Sequence, residues 1–450
     1  MTNQAHSPKP TAKKTWHFAR WLVPMLSLPA LVGTTAIGWL GYREVRAMQT
    51  FRDLNALQKS SSSTGDAWLD ENHRASTSTV GTAMWSKVYL LVFAGNYEDQ
   101  KDLPMVGSKS LSPILDRKQP WKEDVAVAEY LSQMRPVIDL IHQAAQLPTP
   151  VWQPLAFNGP STLLPEPQEA RNVARLLQLE AEYALYHGDS QRALKAITSL
   201  QATAESIAWD ISVPTLLYHF AMQDMYLRTI QRSLHTDVWS SEQLEQFLSQ
   251  LAEQIDVTDS FRRGLKAEQA WVDSILNSNQ SEFAGSRLMK FPSVRLELQR
   301  QYRELQGLAD ATNVRLSTHV QKHENAIRRY EGAAGMFANY YLPYASAYAA
   351  ALDAQEQIRQ ITRVAVAVKR FQLEHQRFPE DLSDLSKIGL STADWTVVGV
   401  GRLGYSVESD RAYVWGLGPQ DSTIAAERPT LETDDNELLH HVAVVVRSVE

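Results

Sequence analysis

The sequence predicts a mainly α protein: an N-terminal transmembrane helix, an irregular helical bundle, and a small C-terminal α+β unit built from a long helix and an antiparallel meander. Three observations carry that prediction. Trp21 to Tyr42 is a run of 22 residues without a charged side chain. From residue 82 to 345 the apolar positions recur mostly with the 3.6-residue period of a helix. Beyond about residue 397 the period shortens and β-branched and aromatic residues take over.

The chain of 450 residues is long enough for several cores, and 44% hydrophobic with 21% charged residues is a globular balance. Charge is unevenly placed. Residues 1–20 form a basic tail holding Lys9, Lys13, Lys14 and Arg20 with no acid, so the net −7 of the whole chain leaves −11 on the remainder. An acidic body lacks the phosphate-neutralising charge that nucleic-acid binding draws on, so no nucleic-acid partner is expected. The absence of cysteine excludes disulfides, thiolate metal sites and cysteine nucleophiles.

The 21–42 segment is long enough to cross the roughly 30 Å hydrocarbon core at 1.5 Å per residue. Its backbone must then be helical, because lipid offers no hydrogen-bond partner. Trp21, Trp39 and Tyr42 fall near its ends, where amphipathic aromatics favour the interface. Four cations precede the run, against Arg43, Arg46 and one intervening acid just after it. The positive-inside rule therefore leaves the N-terminus cytoplasmic and the body periplasmic or otherwise extracytoplasmic, on a single-pass protein of the inner membrane. A cleavable signal peptide is the rival reading, but its apolar region is ordinarily shorter.

Residues 43–81 are expected to form a juxtamembrane helix and a spacer, the latter marked by Ser60-Ser61-Ser62-Ser63-Thr64-Gly65. Six prolines between Leu147 and Pro167 mark a second break. In Arg171 to Leu185, Val173, Leu176, Leu177, Ala181, Ala184 and Leu185 make one apolar stripe. Gly188 suits a left-handed helix end, and Asp189 or Ser190 can cap the helix that follows. Ser240-Ser241-Glu242-Gln243 has the form of a capping box. Further helices are expected from Leu296 to Arg329 and from Ala345 to His375. Glu408-Ser409-Asp410 reads as a hairpin connection in a sheet of three or four strands, within an α+β unit spanning 346–450. Phe378-Pro379 should turn the chain so that the Phe378 ring folds back on Val364, Val368 and Phe371.

Two resemblances accompany these residues. Leu177, Ala181, Gly188-Asp189, Ala193 and Ile197 resemble the small-and-apolar pattern of a tetratricopeptide hairpin, in one unit only. Val364 to Phe371, Phe378-Pro379, Leu382, Leu385, Tyr405, Tyr413 and Gly416-Leu417-Gly418 stand in the order found in the globular part of type II secretion pseudopilins. The short leader, Gly–Phe-type processing step and nearby Glu of that family do not occur around Trp21 to Tyr42, so a fibre subunit is not implied. The whole order is similar to that of uncharacterised membrane-anchored bacterial envelope proteins, which implies a layout and no activity.

Candidate chemistry is sparse. His319 and His323 share a helical face beside Glu324, a spacing that can hold a metal, without the order of the zincin signature. The aromatic segment Tyr330, Phe337, Tyr340, Tyr341, Tyr344 and Tyr348 could line a groove or form core. Gly399, Gly401 and Gly404 have dinucleotide-loop spacing but do not open a helix. His440-His441 precede the last expected strand. No catalytic, cofactor-binding or metal residues are assigned and no cofactor is expected. The favoured reading is a membrane-tethered envelope scaffold or interaction protein with a protein partner. The alternatives are a metal-assisted hydrolase using His319, His323 and Glu324, or an accessory factor of a secretion-like apparatus.

Overall fold

The structure, a computed structural model, describes residues 41–50, 52, 79–93, 101–107, 120–148, 165–207, 213–252, 256–277, 291–308, 315–327, 345–409, 411–416 and 444–447. It is mainly helical with a small antiparallel sheet at the C-terminal end. A short helix at 41–50 is followed by α1 (Thr79–Phe93), α2 (Asp124–Ala144), α3 (Pro165–Tyr186), α4 (Ser190–Glu205) and α5 (Val213–Ser233). Then come α6 (Ser241–Gln250), α7 (Val257–Asn277), α8 (Pro292–Leu308), α9 (Leu316–Ile327) and α10 (Ala345–His375).

The charge-free run lies outside the described residues except for Gly41 and Tyr42. Among the described residues no helix is long and apolar enough to cross a membrane. The serine-rich spacer, Tyr330 to Tyr344 and His440-His441 also fall outside them.

Local chemistry accounts for the helix ends. Gly188 has φ +78°, a left-handed position that glycine occupies without a Cβ penalty. The Asp189 carboxylate then accepts from the Arg192 amide at 3.0 Å and starts α4. At α6 the Ser240 hydroxyl accepts from the Gln243 amide (3.2 Å), and the Gln243 side chain accepts from the Ser240 amide (3.0 Å), a complete capping box. The single helix expected from Leu296 to Arg329 is instead two, α8 and α9. Gly307, a weak helix former, stands at the end of the first. The long C-terminal helix ends at Gln376, whose φ is +54°, two residues ahead of the Phe378-Pro379 step.

Two apolar cores share two helices. The larger gathers α1 to α6, the C-terminal half of α10 (Ile358 to Phe371) and the sheet. The smaller gathers α7, α8, α9, the start of α5 (Leu216, Phe220) and the start of α10 (Ala345, Tyr348, Ala349, Leu352). The long helix thus belongs to the bundle as much as to the unit expected at 346–450. Tyr348 is core: it is buried between Phe220 and Phe261, with ring centroids at 6.2 and 5.6 Å, and donates to the Ser260 carbonyl at 2.9 Å.

After α10, 3-10 turns at Leu382–Ile388 and Thr392–Trp395 lead to β1 (Thr396–Val397) and β2 (Gly401–Arg402). Among the described residues these two pair only with each other. The main sheet is a three-stranded antiparallel meander of β3 (Gly404–Glu408), β4 (Arg411–Trp415) and β5 (Val444–Arg447), in that order. Glu408 faces Arg411, which puts the hairpin turn at Ser409, φ +53°. Phe378 is half-buried against the larger core, and the Pro379 carbonyl accepts from the Tyr405 hydroxyl at 2.9 Å.

Candidate docking cleft

Helix α3 is enclosed by its neighbours, so polar side chains within it must be paired. Glu180 and Glu182, both buried, are the test of this. Glu182 accepts from Arg232 of α5 at 2.8 Å. Glu180 faces the other way and accepts from Arg135 of α2 at 3.0 Å and twice from Arg192 of α4, at 2.7 and 2.8 Å. One buried carboxylate therefore holds two guanidinium groups that each keep some contact with water. The Glu180 hydrogen bond holds the Arg192 guanidinium above its ordinary pKa, so it stays charged throughout. Arg192 also lies over the Tyr183 ring, 5.2 Å from its centroid.

Arg135 and Arg192, the two partners of Glu180, both line an open cleft of about 550 Å³. One wall is a single face of α2, with Arg135, Asp139 and His142 spaced by four and three residues, continued by Gln146 in the turn that follows the helix. The other is α4, with Gln191, Arg192, Lys195 and Thr198, reached through Asp189 at its cap, and Gln246 of α6 closes one side. Helix α6 is stitched to α4 by Gln243 donating to the Ser190 hydroxyl (3.1 Å) and Gln250 to the Thr198 hydroxyl (3.2 Å).

His142 is the one buried histidine of the cleft wall. Its Nδ1 shares a hydrogen bond with the Ser199 hydroxyl at 2.8 Å. Burial pushes its pKa down to about 4, and the Lys195 ammonium adds to this while Glu180 and Asp139 oppose it. The ring is neutral at physiological pH. Ser199 is itself buried and does not line the cleft. The pair fixes the ring, because a nucleophile must reach its substrate and this hydroxyl does not.

The cleft offers donors and acceptors along both walls, with cations and anions interspersed. Three glutamines present the same donor and acceptor pair as a peptide unit.

The histidines picked out by spacing lie side by side on α9. The His319 and His323 rings contact each other at 4.8 Å between centroids. Glu324 is buried and its carboxylate accepts from the Ser346 amide at 2.9 Å, which caps α10. Among the described residues no group of three metal-capable side chains comes together. Gly399 and Gly401 take positive φ in the β1–β2 turn, away from any helix start.

Of the residues lining the cleft, the sequence picked out Asp189, as a helix cap and not as part of a site. The signal of the cleft was the pair Glu180 and Glu182 among the apolar residues of the second half of α3, Leu176 to Leu185, where buried carboxylates demand cations from neighbouring elements. Arg135, Arg192 and Arg232 supply them, 45, 12 and 50 residues away. Comparison with family models, curated proteins and solved structures finds no match for this chain.

Proposed function

We propose that this protein is a membrane-tethered scaffold of the cell envelope that holds a partner polypeptide in the α2–α4–α6 cleft. Trp21 to Tyr42 is the tether, the N-terminus is cytoplasmic, and the body acts outside the cytoplasm. The observation that carries the reading is the cleft itself: open, lined by mixed polar groups, with Arg135 of one wall and Arg192 of the other both held by Glu180. A preorganised wall spends little side-chain entropy on binding. No observation favours the metal-assisted hydrolase, since Glu324 is committed to the start of α10. The C-terminal helix and meander, whose residue order resembles the pseudopilin globular part, support a second docking role in a secretion-like assembly.

The chain has no cysteine, so a single introduced thiol can be labelled without interference. A photo-crosslinker on Gln191→Cys or Gln146→Cys should capture one defined envelope protein in the cells that make this chain. The same probe on Gln133→Cys, exposed on another side of α2, should not. Charge reversal by Lys195→Glu should reduce the capture severalfold. Equal capture from all three positions, or none from either cleft position, refutes the docking reading.

A further inference from the structure

The helix at 41–50 meets the body at Ser293. The Glu44 carboxylate accepts from the Ser293 amide at 3.1 Å and from the Ser293 hydroxyl. It therefore sits on the first turn of α8, where unpaired amides and the helix dipole favour an anion. This contact turns Glu44 and Ala47 toward the body. The remaining surface of the helix carries Tyr42, Val45 and Met48, exposed at 61, 57 and 40%, interleaved with Arg43 and Arg46. Phe291, two residues before Ser293, is 49% exposed. Large apolar side chains gathered around one contact call for a cover. Tyr42 is the last of 22 uncharged residues, and Arg46 among the apolar groups matches anionic headgroups.

We propose that Tyr42, Val45, Met48 and Phe291 form a membrane-resting surface, seated in the headgroup boundary of the bilayer, and that Glu44 fastens the body to that boundary through the start of α8. This rests on Trp21 to Tyr42 being the tether. The body then does not swing freely on its spacer: its smaller core is set down on the membrane beside the point where the chain emerges. A second copy of the chain could cover the same apolar strip, but it would leave Phe291 away from lipid.

The test uses the full chain reconstituted in vesicles of phosphatidylcholine with a minority of phosphatidylglycerol. Met48→Cys, Phe291→Cys and, as a distant control, Val398→Cys each carry an environment-sensitive fluorophore, and quenching by lipid spin-labelled near the headgroup is read. The expected result is severalfold stronger quenching at 48 and 291 than at 398. Adding Glu44→Ala should abolish the effect at 291 and spare it at 48, while Glu44→Gln, which retains an acceptor oxygen, should keep part of it. Thermal melts of each variant establish that the fold is retained. Protein that floats with the vesicles yet shows no quenching at 291 overturns the inference and leaves the tether standing. Equal quenching at 398, or quenching at 291 indifferent to Glu44→Ala, overturns it as well. Protein that fails to float with the vesicles overturns the tether and this surface together.

Discussion

Glu180 is the residue on which the cleft depends, because its one negative charge is shared by Arg135 and Arg192 from two different helices. Glu180→Gln keeps the shape and one acceptor but removes the charge. It should destabilise by about 3 kcal/mol, the lower end for a broken buried pair, since both arginines keep access to water. Urea titration checks this, and a loss within experimental error would show that the pair contributes no net stability. His142 gives a pH signature. Its folded pKa of about 4 lies below the ordinary 6.5, so between those values the unfolded chain binds more protons than the folded one. Its contribution is therefore complete above pH 6.5 and is lost as pH falls toward 4, by up to about 3 kcal/mol. His142→Asn should flatten that part of the stability profile relative to the parent. Parallel profiles from pH 7 to 4 would mean that the imidazole is not held neutral by burial.

Among the elements, the C-terminal meander shows how closely its strands are fitted. A β-carbon on Gly404 would overlap the Trp415 indole opposite it, in the β3–β4 pair. Gly404→Ala should cost about 1–3 kcal/mol, as overpacking of a closed site does. An unchanged melting midpoint would show that β3 can shift away from β4. Phe378 belongs to the same unit, between the end of α10 and the first 3-10 turn. Its ring is half-buried against the larger core, so Phe378→Ala should cost roughly half of the 3–5 kcal/mol typical for a buried ring, about 2 kcal/mol. Differential scanning calorimetry separates this from a surface role, for which the midpoint would stay in place.

For the whole molecule, the two cores meet along α5 and α10, and the crossing is polar. Gln355 donates to the Phe220 carbonyl at 3.0 Å, and Arg359, buried beside it, donates to the Leu251 carbonyl. Apolar burial is thus interrupted between Leu352 and Ile358, which lets the smaller core loosen on its own. Phe261→Ala empties that core, at about 3–5 kcal/mol for a buried ring. Hydrogen exchange should then accelerate in α7, α8 and α9 while α3 and α4 keep their protection. Uniform acceleration through α3 and α4 would mean that the two cores unfold as one. The same geometry bears on a fragment of residues 346–450. Its helix would expose Ile358 to Phe371, which in the intact chain pack with α5 and α6, so it should aggregate; a soluble, cooperatively folding fragment would contradict the shared helix.

What the sequence determined by itself is what local chemistry determines. Gly188 and Asp189 set the α3–α4 turn, Ser240 and Gln243 the start of α6, and the apolar period the full extent of α10, each within a few residues along the chain. The change from helix to meander was legible for the same reason, since side-chain period and turn residues are local properties. The one helix expected from Leu296 to Arg329 shows the limit: a continuous period does not say whether neighbouring elements leave room for a straight rod. Only the tertiary structure decided that Glu180 faces two arginines, that Tyr348 is core, that Glu324 caps α10, and that α10 serves two cores. These pairings join residues up to 135 positions apart, as Gln355 and Phe220 are. Side-chain chemistry makes a partner obligatory for a buried carboxylate or amide, while the packing of whole helices chooses which partner it is.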